Sequence, residues 1–194
     1  VVDSIYPGPQ ILRTPKRFMG DMYQNSQALA ELGFIVITVD GRGQPLRSKA
    51  FRSYSYENMG AAGALEDHVA AIKQVGQKRP YMDLDNVGIY GTSGGGFATA
   101  HALFDYPDFY KVGVSSAGNH DQRIYISLWG ETYHGPYSRD SYATIPSYNN
   151  VENFKGKLLI AHGEMDDNVH PANTMRVVDE LIKHNKQFDM LIMP

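Results

Sequence analysis

The chain has 194 residues, 42% of them hydrophobic, and no cysteine, enough apolar material for one sizeable core but none for a disulfide framework, a thiol nucleophile or a thiolate metal site. Its 18 basic and 21 acidic residues leave a net charge of -3 and are scattered rather than blocked, so neither nucleic acid nor an anionic membrane surface is an expected partner. No apolar run approaches the roughly 18 residues of a membrane span, and the opening "VVDSIYPGPQ" lacks the basic start and long apolar middle of a signal peptide, so a soluble chain, periplasmic or cytoplasmic, is expected.

The first predicted strand, "VVDSI" at 1–5, begins without a lead-in, as expected of a chain cut from a longer protein. A helix-spaced run from Ser26 to Leu32 leads to the strand "FIVITVD" at 34–40, and a second helix is predicted over 61–75, with Leu65, Val69, Ile72 and Val75 on one side. The strand "NVGIY" at 86–90 is followed by a helix over 95–104, "KVGVSS" at 111–116 is a strand, and "KLLIAH" at 157–162 is another. A helix over 174–184 carries Met175, Val178, Leu181 and Ile182 on one face, and "DMLIM" at 189–193 closes the series. Strand and helix alternate, and the strands are β-branched and nearly continuous in apolar residues. This predicts one α/β domain over 1–194, a mostly parallel, doubly wound sheet with helices on both faces.

Two connections exceed the usual length. The first, 41–60, is rich in Gly, Arg, Tyr and Ser, and loops of that length in compact domains are usually functional or disordered. The second, 119–150, holds the only tryptophan, Trp129, and five of the 13 tyrosines. Rings with a polar handle suit either the wall of a binding pocket at a sheet edge or a satellite core over the sheet.

Between the strand at 86–90 and the helix that follows stands "GTSGG", Gly91 to Gly95, which fits G-x-S-x-G in the strand–turn–helix setting that its chemistry needs. A serine on so sharp a turn tolerates only small neighbours. The helix beginning beside it offers a positive dipole end and the N–H of Gly94 for negative charge developing on a carbonyl oxygen. A phosphate-binding loop is excluded because no lysine follows the glycines, and the dinucleotide fingerprint finds no match.

An acid belongs in a loop after a later strand. "GEMDDNVHP" at 163–171 supplies both Asp166 and Asp167. His162, Glu164, Asp166 and His170 would make an acceptable oxygen and nitrogen ligand set, but His162 ends a strand, so their spacing does not lie on one helix face, and a calcium loop would need a glycine and a closing glutamate that are absent. Neither a metal nor a cofactor is expected.

The motifs "YPGPQ", "VDGRG", "GTSGGGF" and "HGEMDDNVHP", in that order, resemble the catalytic domain of the prolyl oligopeptidase family, most closely its dipeptidyl peptidase branch, over nearly the whole chain. The resemblance implies an α/β-hydrolase fold in which Ser93 is the nucleophile, Asp166 orients a catalytic histidine, and Tyr6 completes an oxyanion hole with Gly94. It implies that Tyr125 and Trp129 wall the substrate's proline and that Asn168 holds a substrate carbonyl. Trp129 stands where close relatives carry tyrosine, and Thr92 and Gly94 flank the serine where many carry a bulky aromatic. The family's propeller domain is not part of this sequence.

The resemblance places the catalytic histidine after the last strand. Of seven histidines only His170 and His184 follow Asp166; the first shares the aspartate's loop and the second ends a predicted helix. The expected base therefore lies beyond Pro194. The expected activity is peptide hydrolysis by acyl transfer through a serine acyl-enzyme, as proline-directed dipeptidyl or oligopeptide cleavage, with the span alone inactive. An esterase or lipase of the same fold and a non-catalytic module are the alternatives, and oligomerisation is open to the parent protein.

Overall fold

A computed structural model describes residues 1–17 and 25–194. Six strands, β1 (Val2–Ser4), β2 (Val36–Ile37), β3 (Val87–Thr92), β4 (Tyr110–Ser116), β5 (Lys157–Gly163) and β6 (Asp189–Met193), form one sheet in the order β2-β1-β3-β4-β5-β6. Every adjacent pair is parallel. The helices are α1 (Ser26–Glu31), α2 (Lys49–Arg52), α3 (Leu65–Gln77), α4 (Gly94–Asp105), α5 (Ser127–Tyr133), α6 (Arg139–Ala143) and α7 (Ala172–Lys183).

The strand order dictates the layers. From β1 the chain steps outward to β2 and thereafter moves only the other way, and right-handed crossovers then put α1 on one face and α3, α4 and α7 on the other. Side-chain alternation agrees. Ile89, Leu158 and Ile160 point to the face that α4 and α7 cover and are buried, whereas Val112 and Val114 point the opposite way and are 46% and 39% exposed; β6, at the sheet edge, is exposed on both faces.

Two elements are shorter than their periodicity predicts. The apolar run 34–40 pairs with β1 only through Val36 and Ile37. Beyond them the Asp40 carboxylate accepts the N–H groups of Arg13 at 2.6 Å and Thr14 at 3.1 Å, which ties the chain to the loop after β1 rather than to the sheet. The helix predicted from 61 begins at Leu65, because Ala62, Gly63 and Ala64 have φ of 46°, 72° and 55°. That left-handed stretch packs on the loop after β1, where a Cβ on Gly63 would lie 1.9 Å from the Cβ of Pro7.

Under α3 the core is polar at one point. Asp3 on β1 is fully buried and accepts hydrogen bonds from His68 Nδ1 at 2.9 Å and from the Tyr110 hydroxyl at 2.9 Å. Burial opposes charge on the imidazole, but the attraction of the Asp3 carboxylate and the hydrogen bond to it prevail, and the His68 pKa is raised above its ordinary value. The pair pins α3 to the central strand.

Between β3 and α4 the backbone turns on a single residue. Ser93 has φ 58° and ψ -120°, a conformation that costs a non-glycine residue on the order of 1–3 kcal/mol. Its N–H donates to Ser116 O at 2.9 Å and its carbonyl accepts from Phe97 N at 3.0 Å, so both flanks are clamped. The turn also requires close packing: a Cβ on Gly91 would lie 2.6 Å from the backbone of Gly95, and one on Gly95 would lie 2.3 Å from Ile5 O.

Loss of the Asp3 partner should destabilise the domain by roughly 3 kcal/mol, because it leaves a buried group uncompensated. A histidine whose pKa is raised by folding stabilises most below its unfolded pKa of about 6.5, and this contribution fades as pH rises through the folded value. Unfolding of the native domain should therefore show stability falling from near neutral pH upward, and Asp3→Asn should flatten that slope. At the turn, Ser93→Gly should raise stability by about 1 kcal/mol through relief of strain. Gly95→Ala should lower it by roughly 2 kcal/mol through overpacking, although alanine normally outranks glycine within a helix. Denaturant unfolding of both variants checks this pair of opposite signs.

Candidate active site

In a doubly wound sheet the crevice opens at the carboxyl ends of the strands where the winding reverses. Here the reversal lies between β1 and β3. Tyr6 follows the first of these strands and Ser93 the second, so the parallel arrangement puts the phenol and the strained serine side by side. The position that a Cβ on Gly94 would occupy is 4.0 Å from the Tyr6 hydroxyl. Gly94 is the first residue of α4, and its N–H is one of the donors that a helix start leaves without an intrahelical partner.

Asp166 belongs to the same edge. It lies in the loop after β5, which is separated from β3 by β4 alone, so the two strands stand about 10 Å apart. The loop fixes the carboxylate: Asp166 Oδ1 accepts the N–H groups of Asn168 at 3.0 Å and Val169 at 2.9 Å. Asp166 is half-buried, whereas Asp167 is exposed.

His162, on the buried side of β5, is occupied from both ring nitrogens. Its Nε2 donates to Val169 O at 2.7 Å, and Nδ1 lies 2.7 Å from Thr174 Oγ1. It thus braces the loop that carries Asp166, and among the described residues no group of three or more histidine, aspartate or glutamate side chains is placed to hold a metal.

Tyr6, Ser93, Gly94, Tyr125, Trp129 and Asn168 line one cavity of about 270 Å³. The Tyr125 hydroxyl donates to Asn168 Oδ1 at 3.2 Å, which leaves the Asn168 amide N–H groups free to donate. Tyr125 and Trp129 meet edge to face with ring centroids 5.7 Å apart. Burial raises the Tyr125 pKa above the ordinary phenol value, so it remains a neutral donor at physiological pH.

Both long connections build this cavity. Ser55 and Met59 come from 41–60, a segment that coils into α2 and short 3₁₀ turns and is tied down by Arg42, whose guanidinium pairs with Asp67 at 2.7 Å and also with Glu66. The 119–150 segment does both things its rings suggest: Tyr125 and Trp129 face the cavity, while Tyr142 and Ile145 enter the main core. Its root is the fully buried Asp121, which bonds Arg123 at 2.7 Å, Tyr148 at 2.6 Å and Arg176 at 2.6 Å. Burial opposes its charge, yet the hydrogen bonds from Arg123 and Tyr148 hold its pKa down at about 2. Asn119 and Gln122, beside this anchor, also line the cavity. Neither stands out in the sequence, since only their place next to the aromatic residues of the segment could signal them.

None of the seven histidines lines the cavity with Ser93, and His162 Nε2 stands 3.4 Å from Asp166 Oδ2. His68 is paired with Asp3, His101 with Asp105 and Ile145 O, and His134 with Met59 N and Ser141. His120 is wholly buried against Ser147, and burial brings its pKa down to about 3. His170 Nδ1 accepts from Ala172 N, and His184 caps the end of α7 against Glu180 O.

The same architecture is found in solved structures. A putative dipeptidyl aminopeptidase IV from Bacteroides ovatus superimposes with a TM-score of 0.91 at 26% identity, covering 100% of this chain and 27% of that one. Porphyromonas gingivalis dipeptidyl peptidase 4 gives 0.84 at 31% identity, over 99% and 27%. Among curated sequences, human dipeptidyl peptidase 8 is 31% identical over 98% of this chain, and a probable dipeptidyl-aminopeptidase B of Emericella nidulans is 36% identical over 93%. The chain spans 22% and 20% of the length of these two relatives. No helix among the described residues is long and apolar enough to cross a membrane. The family model for the prolyl oligopeptidase family matches residues 21–194, and with that match, the parallel α/β-hydrolase sheet and the strained serine turn at its winding reversal, the chain belongs to the prolyl oligopeptidase family.

Proposed function

We propose that this chain is the catalytic module of a serine peptidase that removes dipeptides or cleaves short peptides next to proline-sized residues. The observation that carries the reading is the shared sheet edge: a serine in a strained turn after β3, a phenol and a helix N–H beside it, and, after the strand two places along, a carboxylate fixed by two N–H groups. Ser93 Oγ attacks the scissile carbonyl and gives its proton to an imidazole oriented by Asp166. The negative charge that develops on the carbonyl oxygen is met by the Tyr6 hydroxyl and the Gly94 N–H. The C–N bond breaks as the imidazolium protonates the leaving amine, and water, deprotonated by the same imidazole, releases the acyl group from Ser93. Tyr125 and Trp129 flank the substrate ring, and Asn168 donates to a substrate carbonyl.

Because none of the seven histidines lines the cavity with Ser93, the imidazole in this reading is carried by residues outside 1–194. The exposed apolar face of Val112, Val114, Leu191 and Met193 supports further chain packing there in the parent protein. A propeller domain in the parent, in keeping with the greater length of the relatives, would gate the cavity and hold the substrate's amino end.

The test is hydrolysis of a proline-containing chromogenic dipeptide by the full-length protein. Tyr6→Phe should lower kcat about a hundredfold with little change in KM, as for loss of one oxyanion donor. Asp166→Asn should lower kcat by roughly ten-thousandfold, whereas Asp167→Asn should leave it nearly unchanged. Equal effects of the two aspartate substitutions would contradict the assignment.

A further inference from the structure

The cavity beside Ser93 is lined unevenly. Phe97, Met59, Tyr125 and Trp129 present apolar surface, and among the described residues no charged side chain lines it. Asn119 and Gln122 also line it, and each is only 3% exposed. Yet Asn119 Oδ1 and Gln122 Oε1 have no hydrogen-bond partner among the described residues. Gln122 is otherwise held in place, since its Nε2 donates to Asn119 O at 3.0 Å and the next residue back is the Asp121 anchor.

Two buried carboxamides with idle oxygens are unusual, because native proteins satisfy nearly all such groups. The terminal torsion of a carboxamide is soft, so either oxygen can turn toward a donor entering the cavity. A wholly apolar occupant would leave these oxygens without a partner. An occupant with a hydroxyl would restore the bond. A site with buried polar groups of this kind discriminates strongly against a substrate that lacks the matching group. The absence of charge in the lining disfavours an ionised occupant in the same way.

We propose that Asn119 and Gln122 are specificity-determining residues that select, on the acyl side of the cleaved bond, a short uncharged residue bearing a hydroxyl: serine, threonine or a hydroxylated proline. The inference rests on the serine-peptidase reading, and it adds a polar recess to the aromatic walls.

The experiment uses the full-length protein and chromogenic dipeptides that differ only by a hydroxyl at that residue: serine against alanine, threonine against valine, 4-hydroxyproline against proline. The wild type should favour the hydroxyl-bearing member by about tenfold in kcat/KM in at least the pair that fits best. Gln122→Leu and Asn119→Leu should each bring that ratio to parity or below. Each ratio is taken within one enzyme sample, so a partly folded variant still reports it, and Gln122→Met supplies a gentler replacement. Wild-type ratios at or below one in all three pairs would overturn the proposal, as would ratios that both substitutions leave unchanged. Cleavage that depends on Ser93 with no hydroxyl preference would remove this inference and leave the peptidase reading intact, whereas no cleavage of any dipeptide would remove both.

Discussion

The molecule depends on how closely β1 approaches the first turn of α4. The carbonyl of Ile5 lies where a Cβ on Gly95 would be, at 2.3 Å, so only glycine lets the helix start this near the strand. That approach brings Tyr6, the next residue along, against the helix N-terminus, and it forces the chain to reverse at Ser93 in a conformation unfavourable for serine. Packing on both sides offsets the strain. Ser93 thereby stands at the sheet edge with the phenol and the helix N-terminus beside it, so in the proposed reading little reorganisation is needed when charge develops.

The surrounding structure holds this edge rigid through buried charges rather than through apolar packing alone. Asp3 with His68 and Tyr110 fixes the strand that carries Tyr6 to α3 and β4. Asp121, gripped by two arginines and a tyrosine, roots the segment that supplies Tyr125 and Trp129. Buried ion pairs contribute little net stability, but they penalise alternative arrangements in which a charge is left alone. Such pairs suit the positioning of long surface segments, which cannot bury enough apolar area to fix themselves.

Much of this was legible in the sequence. The alternation of strand and helix led to the parallel sheet, and the small residues around Ser93 led to the sharp turn, because each local pattern had one physical solution. What escaped depended on contacts between distant residues. The strand 34–40 reads as continuous, yet Asp40 is drawn to the backbone of Arg13 and Thr14, and the helix expected from 61 waits for three residues that fit against Pro7. Neither tether has a signal in periodicity. The places of Asn119 and Gln122 in the cavity lining were equally hidden, since an amide in a polar loop carries no mark of burial.

The central claim is that the strained Ser93 turn, Tyr6 and Gly94 form one preorganised site for an oxyanion. The most direct measurement is a crystal structure of the full-length protein with a peptide boronic acid. The account predicts a covalent bond from Ser93 Oγ to boron, with one boron-bound oxygen within hydrogen-bond distance, about 2.7–3.1 Å, of both the Tyr6 hydroxyl and the Gly94 N–H. An adduct on another residue, or a Ser93 adduct whose oxygens meet neither donor, would contradict it.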